Sequence, residues 1–171
     1  MKSRVVPPGE LDLERSLLAE DYMKQAKQGT TERRRVSFEE ICMRTAGLLI
    51  GRSTCDRLQV GCVIASSDYR KILAWGYNGN ASGLDNKCDS EEPGKCGCLH
   101  AEENAVINCD SPRQNLKIVF CTHEPCKMCA KRLVNLGGVV KVYYCYDYRL
   151  HEGLEVLYAA GIPYEKLELH W

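Results

Sequence analysis

Apolar residues recur at helical and strand spacings over most of the chain from residue 37 onward. Ser37 followed by Glu40 matches a capping box, and the apolar positions after it predict a helix over 37–52. The residues expected on the buried face of this helix are Ile41, Ala46, Leu48 and Leu49. Two short apolar segments around a polar turn, 59–65 and 71–77, predict strands that pair as a hairpin.

Residues 78–97 are rich in Gly, Asn and Asp and predict a long ordered loop of the kind that tends to be functional. Helices and strands alternate after this loop. The predicted elements are helix 100–108, strand 117–122, helix 126–136, strand 139–145, a short helix near 153–160 and a strand at 164–169. This order, after an opening hairpin, predicts an α/β protein with a mixed sheet covered by helices.

Residues 1–36 differ from the rest of the chain. Apolar residues recur at helical spacing among charged ones, which predicts one amphipathic helix. We therefore divide the chain into an N-terminal helical extension at 1–36 and a domain at 37–171. The helix is expected to pack on this domain or on a sister subunit.

The 171 residues are 44% hydrophobic and carry no formal net charge, which suits one globular domain with a full core. The sequence has no apolar run long enough to cross a bilayer and no signal-peptide pattern at its start, so we expect a cytoplasmic protein without membrane association. The balanced charge favours a small-molecule substrate and leaves nucleic acid as the less favoured partner.

The residues that carry chemistry fall into two short segments. His100 and Glu102 lie in the first, and Pro125, Cys126 and Cys129 lie in the second. One imidazole and two thiolates give three zinc ligands, and a catalytic zinc keeps its fourth position open for water. Pro125 suits the start of a helix, which would place both cysteines on the first turn. The two segments therefore predict a catalytic Zn²⁺ site.

Glu102 lies two residues from the histidine, where its carboxylate can face the water without binding the metal. This is the position that a general acid/base requires. A lone C-x-x-C pair would fit a structural zinc or a redox pair equally well. The pattern H-x-E followed by P-C-x-x-C is typical of zinc nucleobase deaminases and favours that interpretation.

Four further cysteines suggest a second metal site. Cys88, Cys96 and Cys98 lie in the long polar loop, and Cys55 lies in a polar turn before the first strand. Four thiolates would form a closed structural Zn²⁺ site that pins the loop beside the catalytic residues. The alternatives are surface thiols or an unrelated cysteine pair.

Between about residues 37 and 169 the sequence resembles the cytidine and deoxycytidylate deaminase superfamily, and it is most similar to the deoxycytidylate deaminases. The segments that carry the resemblance are V-G-C-V-I at 60–64, G-Y-N-G at 76–79, H-A-E-x-N-A at 100–105 and P-C-x-x-C-A at 125–130. The resemblance implies a three-layer cytidine deaminase fold, with a five-stranded mixed sheet and the zinc at the start of two adjacent helices.

It also implies hydrolysis of dCMP to dUMP and ammonia by a homo-oligomeric enzyme. Phage-type members carry a second zinc in the segments that hold Cys55, Cys88 and the residues just before His100. The resemblance further implies that the substrate lies near Asn78, Ala101, Tyr146 and Tyr148.

Some residues depart from the family pattern. The segment 124–130 also resembles the tRNA adenosine deaminases, so deamination of another nucleoside, nucleobase or base in nucleic acid is the alternative activity. His123 replaces a usual apolar residue and fits a proton carrier, a phosphate contact or a satisfied surface histidine. Nearby candidates for binding a substrate phosphate are Arg113, Arg132 and Arg149. A non-catalytic zinc protein is a third interpretation, but it would have no use for Glu102.

Overall fold

The computed structural model describes residues 35–92 and 95–169, so the helix predicted within 1–36 lies almost entirely outside the described residues. Four α-helices and five strands form in this part of the chain. Their bounds are α1 Phe38–Leu49, followed by a 3-10 turn Ile50–Arg52, β1 Gly61–Ser66, β2 Ile72–Tyr77, α2 Ala101–Ile107, β3 Lys117–His123, α3 Lys127–Leu136, β4 Val139–Tyr146, α4 Glu152–Ala159 and β5 Tyr164–Lys166. Every element predicted from residue 37 onward is present.

The five strands form one sheet in the order β2-β1-β3-β4-β5. β1 pairs antiparallel with β2 and with β3, whereas the β3–β4 and β4–β5 pairs are parallel. The start of β1 and the ends of β3 and β4 therefore meet at one edge of the sheet, and this edge carries the candidate site.

Side chains of each central strand point alternately to the two faces of the sheet. On one face, Val63 and Phe120 pack with α1 through Met43. On the other, Ile64 and Val119 pack with residues of α2, α3 and α4. Helices cover both faces, which confirms the predicted three-layer α/β fold.

The buried face of α1 differs from the predicted one. Ser37 does cap the helix, accepting a hydrogen bond from the backbone N–H of Glu40 at 3.1 Å. However, Ile41 and Leu48 are exposed, and the prediction that they are buried is wrong. The buried residues are Cys42, Met43 and Ala46. These three residues form one narrow buried face of the helix. The apolar residues on either side of that face, Ile41 and Leu48, made it hard to recognise in the sequence.

Among the described residues, none of the helices has the length and apolar character that a bilayer crossing requires.

Candidate active site

Two helices begin side by side at the site. His100 is the N-cap residue of α2 and Cys126 is the N-cap residue of α3, both with extended backbone. Cys129 lies in the first turn of α3 and is fully buried. Pro125 precedes the cap, so α3 begins at Lys127, one residue after the predicted start at 126, and Cys126 lies at the cap and not on the first turn. Helix N-termini carry a partial positive charge that stabilises thiolates.

The three predicted ligands converge. The Nδ1 atom of His100 lies 3.6 Å from the Cys126 sulfur and 3.4 Å from the Cys129 sulfur. In a tetrahedral zinc site with Zn–N near 2.0 Å and Zn–S near 2.3 Å, a nitrogen and a sulfur ligand stand about 3.5 Å apart. Donor chemistry and spacing therefore both fit Zn²⁺, with Nδ1 as the binding nitrogen.

The pKa values of the two thiols are shifted in opposite directions. Hydrogen bonds from Cys129 and His100 lower the pKa of Cys126 to about 3, whereas the hydrogen bond with Cys126 and burial raise the pKa of Cys129. Thiolates are the form that binds a metal. The surroundings of Cys126 favour its thiolate, and a cation between the sulfurs would favour the thiolate of Cys129 as well.

Glu102 is in the first turn of α2 and only 4% exposed. Burial raises the pKa of its carboxyl to about 7. The carboxyl lies beside the ligand set without being one of the three clustered donors. A group with a pKa near neutrality is suited to both accept and donate a proton.

A cavity of about 360 Å³ opens above these residues. His100, Ala101, Glu102 and Cys126 line it near the ligand set. The rest of its wall comes from Cys55, Arg57, Leu58, Val60, Asn78, Cys96, Cys98, His123, Glu124, Tyr148 and Arg149. Its volume is in the range of small-molecule sites.

Three of the four predicted substrate residues line the cavity. Ala101 and Tyr148 line the cavity, but Tyr146 does not, and its ring instead lies 5.1 Å from the His123 ring. Asn78 also lines the cavity, yet its amide is already bonded within the protein. It accepts from the Val60 N–H at 2.8 Å and donates to the Leu58 carbonyl at 2.6 Å. The side chain of Asn78 therefore stabilises the backbone of the cavity wall through these two hydrogen bonds.

The cations on the wall differ from those the sequence suggested. Arg149 lines the cavity as expected, but Arg113 donates to the Asn135 carbonyl and Arg132 pairs with Glu103, and neither reaches the cavity. Arg57 lines it instead. Sequence reasoning missed Arg57 because it lies 92 positions from Arg149 in the chain. Only the antiparallel pairing of β1 brings its turn to the same sheet edge.

His123, also on the wall, is half-buried, and burial lowers its pKa. Its Nδ1 lies 3.2 Å from the Thr122 hydroxyl oxygen, which accepts from the Gly61 N–H. An imidazole whose neutral form is favoured by burial therefore borders the cavity.

Cys55 and the three loop cysteines, Cys88, Cys96 and Cys98, form a second cluster. The Cys88 sulfur lies 3.7 Å from the sulfurs of Cys55 and Cys98. The sulfurs of Cys55, Cys96 and Cys98 lie within 4.8 Å of one another. Sulfur ligands of a tetrahedral zinc stand about 3.8 Å apart, a spacing that the two contacts of the Cys88 sulfur match.

Comparisons with known proteins agree with this geometry. Residues 36–146 match the family model described as the cytidine and deoxycytidylate deaminase zinc-binding region. The chain is 34% identical over 143 residues to ComE operon protein 2 of Bacillus subtilis, covering 79% of this chain and 74% of that protein. It is 36% identical to the deoxycytidylate deaminase of Saccharomyces cerevisiae over 75% of this chain, but spans only 44% of the yeast protein.

Among solved structures, the dCMP deaminase from the cyanophage S-TIM5 in complex with dCMP and dUMP superposes with a TM-score of 0.69 at 36% identity. The match covers 78% of this chain and 98% of the phage chain. An α/β fold with a zinc-type ligand set and a buried glutamate at the starts of two helices defines a zinc-dependent deaminase. The chain belongs to the cytidine and deoxycytidylate deaminase family.

Proposed function

We propose that this protein hydrolyses dCMP to dUMP and ammonia. The observation that carries the proposal is a single cavity with Glu102, two of the three metal ligands, His100 and Cys126, and two arginines in its wall. The cyanophage relative that was solved with dCMP and dUMP supports the same substrate and product.

His100, Cys126 and Cys129 would hold Zn²⁺. When bound, Zn²⁺ supplies a Lewis acid that lowers the pKa of a water molecule to about 7. Glu102 performs the proton transfers. Its carboxylate takes a proton from the attacking water, and the carboxylic acid gives that proton to N3 of the cytosine ring as the C4–O bond forms. Glu102 then moves the proton of the new C4 hydroxyl to the amino group, and the C4–N bond breaks to release ammonia and leave the uracil carbonyl.

Burial fits Glu102 for this work. In a site that excludes bulk water, a carboxyl with a pKa near neutrality exchanges a proton in either direction at little cost. Because Glu102 lies on the first turn of α2, two residues after the ligand His100, the backbone of the helix start fixes its distance from the reacting atoms. The carboxyl needs no large movement between steps.

The arginines on the wall favour a nucleotide over a nucleoside. Arg57 and Arg149 belong to different sheet-edge segments, and both line the cavity. A guanidinium presents a planar fork of donors that matches phosphate oxygens. Arg149 also lies over the ring of Tyr148, with its Cζ 5.6 Å from the ring centroid. We assign these two residues to the 5′-phosphate and the Tyr148 ring to contact with the nucleotide.

The substrate assignment is tested by ammonia release from the zinc-loaded protein. The panel is dCMP, dCTP, deoxycytidine, CMP, cytosine, guanine, adenosine and a tRNA anticodon stem. The proposal expects the highest kcat/KM with dCMP. Preferred turnover of adenosine in the tRNA stem, or of a free base, would show that the substrate assignment is wrong. It would leave the proton-transfer role of Glu102 unchanged.

A second, structural Zn²⁺ at Cys55, Cys88, Cys96 and Cys98 is part of the proposal. The sulfur spacings support it, and three of these thiols line the same cavity as Glu102. Cys98 is two residues before His100, and Leu99 between them bridges Gly79 with backbone hydrogen bonds of 2.8 and 3.1 Å. A metal at this cluster would hold the loop and the first catalytic ligand in place together.

We also propose a homo-oligomer that works in the cytoplasm, with residues 1–36 as an extension of the 37–171 domain. Thiolate ligands persist in a reducing compartment, which supports the location. The family resemblance supports the oligomer. Light scattering of the full chain tests it, since a monomeric mass at working concentration would contradict the assembly.

A further inference from the structure

The start of α4 packs against the segment between β3 and α3, which carries the metal ligand Cys126. A β-carbon at Gly153 would collide with the carbonyl oxygen of Pro125, so the first turn of α4 touches this backbone directly. Beside it, Glu152 pairs with Lys127 at 3.0 Å. The contact between α4 and the start of α3 is therefore close and specific.

A third contact between α4 and this segment joins His151 to the buried carboxylate of Glu124. The side chain of Glu124 is fully buried, and its Oε2 lies 2.8 Å from the Nδ1 of His151. The same oxygen accepts a longer hydrogen bond, 3.4 Å, from the backbone N–H of Tyr148. The Oε1 atom has no hydrogen-bond partner among the described residues. Burying a carboxylate with few partners is costly, so Glu124 depends strongly on His151.

The Glu124–His151 pair holds the residues between β4 and α4. Segment 147–150 carries Tyr148 and Arg149 to the cavity wall. It is fixed at its start by the bond from the Glu124 N–H to the Tyr146 carbonyl at 2.8 Å. It is fixed at its end by the Glu124–His151 pair. Without His151, the carboxylate would retain only the long bond to Tyr148, and it would gain hydration by letting the segment open.

We infer that Glu124 and His151 form a positioning clamp that holds Tyr148 in place to contact the nucleotide and Arg149 in place to bind its phosphate. The inference rests on the proposed function for the identity of that substrate. The clamp acts on binding and leaves the proton transfers of Glu102 untouched. Glu124 and His151 are thus positioning residues.

The clamp is tested in the full-length, zinc-loaded protein with three variants. His151→Ala removes the donor, and because the His151 side chain is 65% exposed the change leaves no cavity in the core. His151→Asn places an amide N–H near the position of Nδ1 and is the rescue variant. Glu152→Gln is the matched control, since it weakens a neighbouring ion pair that does not touch Glu124. The readouts are kcat and KM for dCMP and deuterium exchange of the peptide covering 147–151.

We expect His151→Ala to raise KM for dCMP about tenfold with kcat unchanged, which corresponds to loss of one charge-assisted hydrogen bond. Exchange at 147–151 should speed up in this variant, and His151→Asn should restore both values. Glu152→Gln should behave as the wild type. Unchanged KM, unchanged exchange, or a fall in kcat without a change in KM in His151→Ala would each overturn the clamp.

The two proposals fail separately. Wild-type protein that does not turn over dCMP would contradict the proposed function. The exchange measurement does not depend on turnover, so it would then decide alone whether the pair holds the segment, with unchanged exchange in His151→Ala overturning it.

Discussion

The Nδ1 atom of His100 lies 3.4 Å from the sulfur of Cys129, a residue 29 positions later in the chain. The two belong to different helices that start side by side at one edge of the sheet. Neither helix could assemble the ligand set alone. The sheet order, which places β1 beside β3, brings the two helix starts together.

Replacing Cys129 should remove the catalytic metal. Cys129→Ser substitutes a poorer zinc ligand at a fully buried position, so we expect loss of one zinc per chain and loss of turnover. Cys109→Ser, at a partly buried thiol outside both clusters, is the control and should keep the metal. Metal analysis by atomic emission makes the comparison. Full zinc content in Cys129→Ser would show that the ligand assignment is wrong.

The loop cysteines give an independent metal prediction. Cys88→Ser breaks the thiolate cluster without touching His100, so the protein should lose the second zinc and keep the first. Because a structural zinc adds folding free energy, the melting temperature should also fall. Counting zinc and melting the protein in parallel checks both effects. One zinc per chain in the wild type, with Cys88→Ser equally stable, would remove the second site.

The phosphate assignment predicts a selective loss. Arg149→Ala should lower kcat/KM for dCMP by roughly thirtyfold, which corresponds to about 2 kcal/mol for a charge-assisted contact. Turnover of deoxycytidine should not change, because the nucleoside has no phosphate. Arg132→Ala is the matched control, since Arg132 pairs with Glu103 at 3.0 Å and does not line the cavity. An equal loss on both substrates would refute a phosphate role.

A stability prediction concerns Lys117, which is fully buried at the start of β3. Its ammonium donates to the carbonyls of Pro112 and Asn115, both at 2.7 Å, and of Gly137 at 3.2 Å. Lys117→Met would leave these carbonyls without their donor and should lower the free energy of unfolding by about 2–4 kcal/mol.

Urea denaturation measures this loss, with the exposed Lys131→Met as the control. A change within about 0.5 kcal/mol in Lys117→Met would show that the lysine is dispensable for the fold.

Local patterns predicted much of this molecule. The strands follow from short apolar segments, and the ligand set follows from H-x-E and P-C-x-x-C, because ligand spacing within a helix start is a local property. The N-cap at Ser37 also formed as expected. Each motif, taken singly, depends on residues that are at most a few positions apart, whereas the meeting of the two motifs depends on the sheet order.

Features that depend on contacts between distant parts of the chain could not be predicted from the sequence. Arg57 reaches the cavity only through the pairing of β1 with β3, and no local pattern near residue 57 indicates this. The amide of Asn78 bonds to Val60 and Leu58, neighbours that only the folded loop provides. The burial of Glu124 likewise results from the docking of α4. Each depends on tertiary contacts that periodicity does not encode.

The central claim is that Glu102 carries the protons of the reaction. Glu102→Gln keeps the shape of the side chain and removes its ability to exchange a proton. Measuring ammonia release from dCMP together with zinc content tests the claim most directly. We predict full zinc content and a kcat at least about a hundredfold below the wild type. A zinc-loaded Glu102→Gln protein with wild-type turnover would contradict the account.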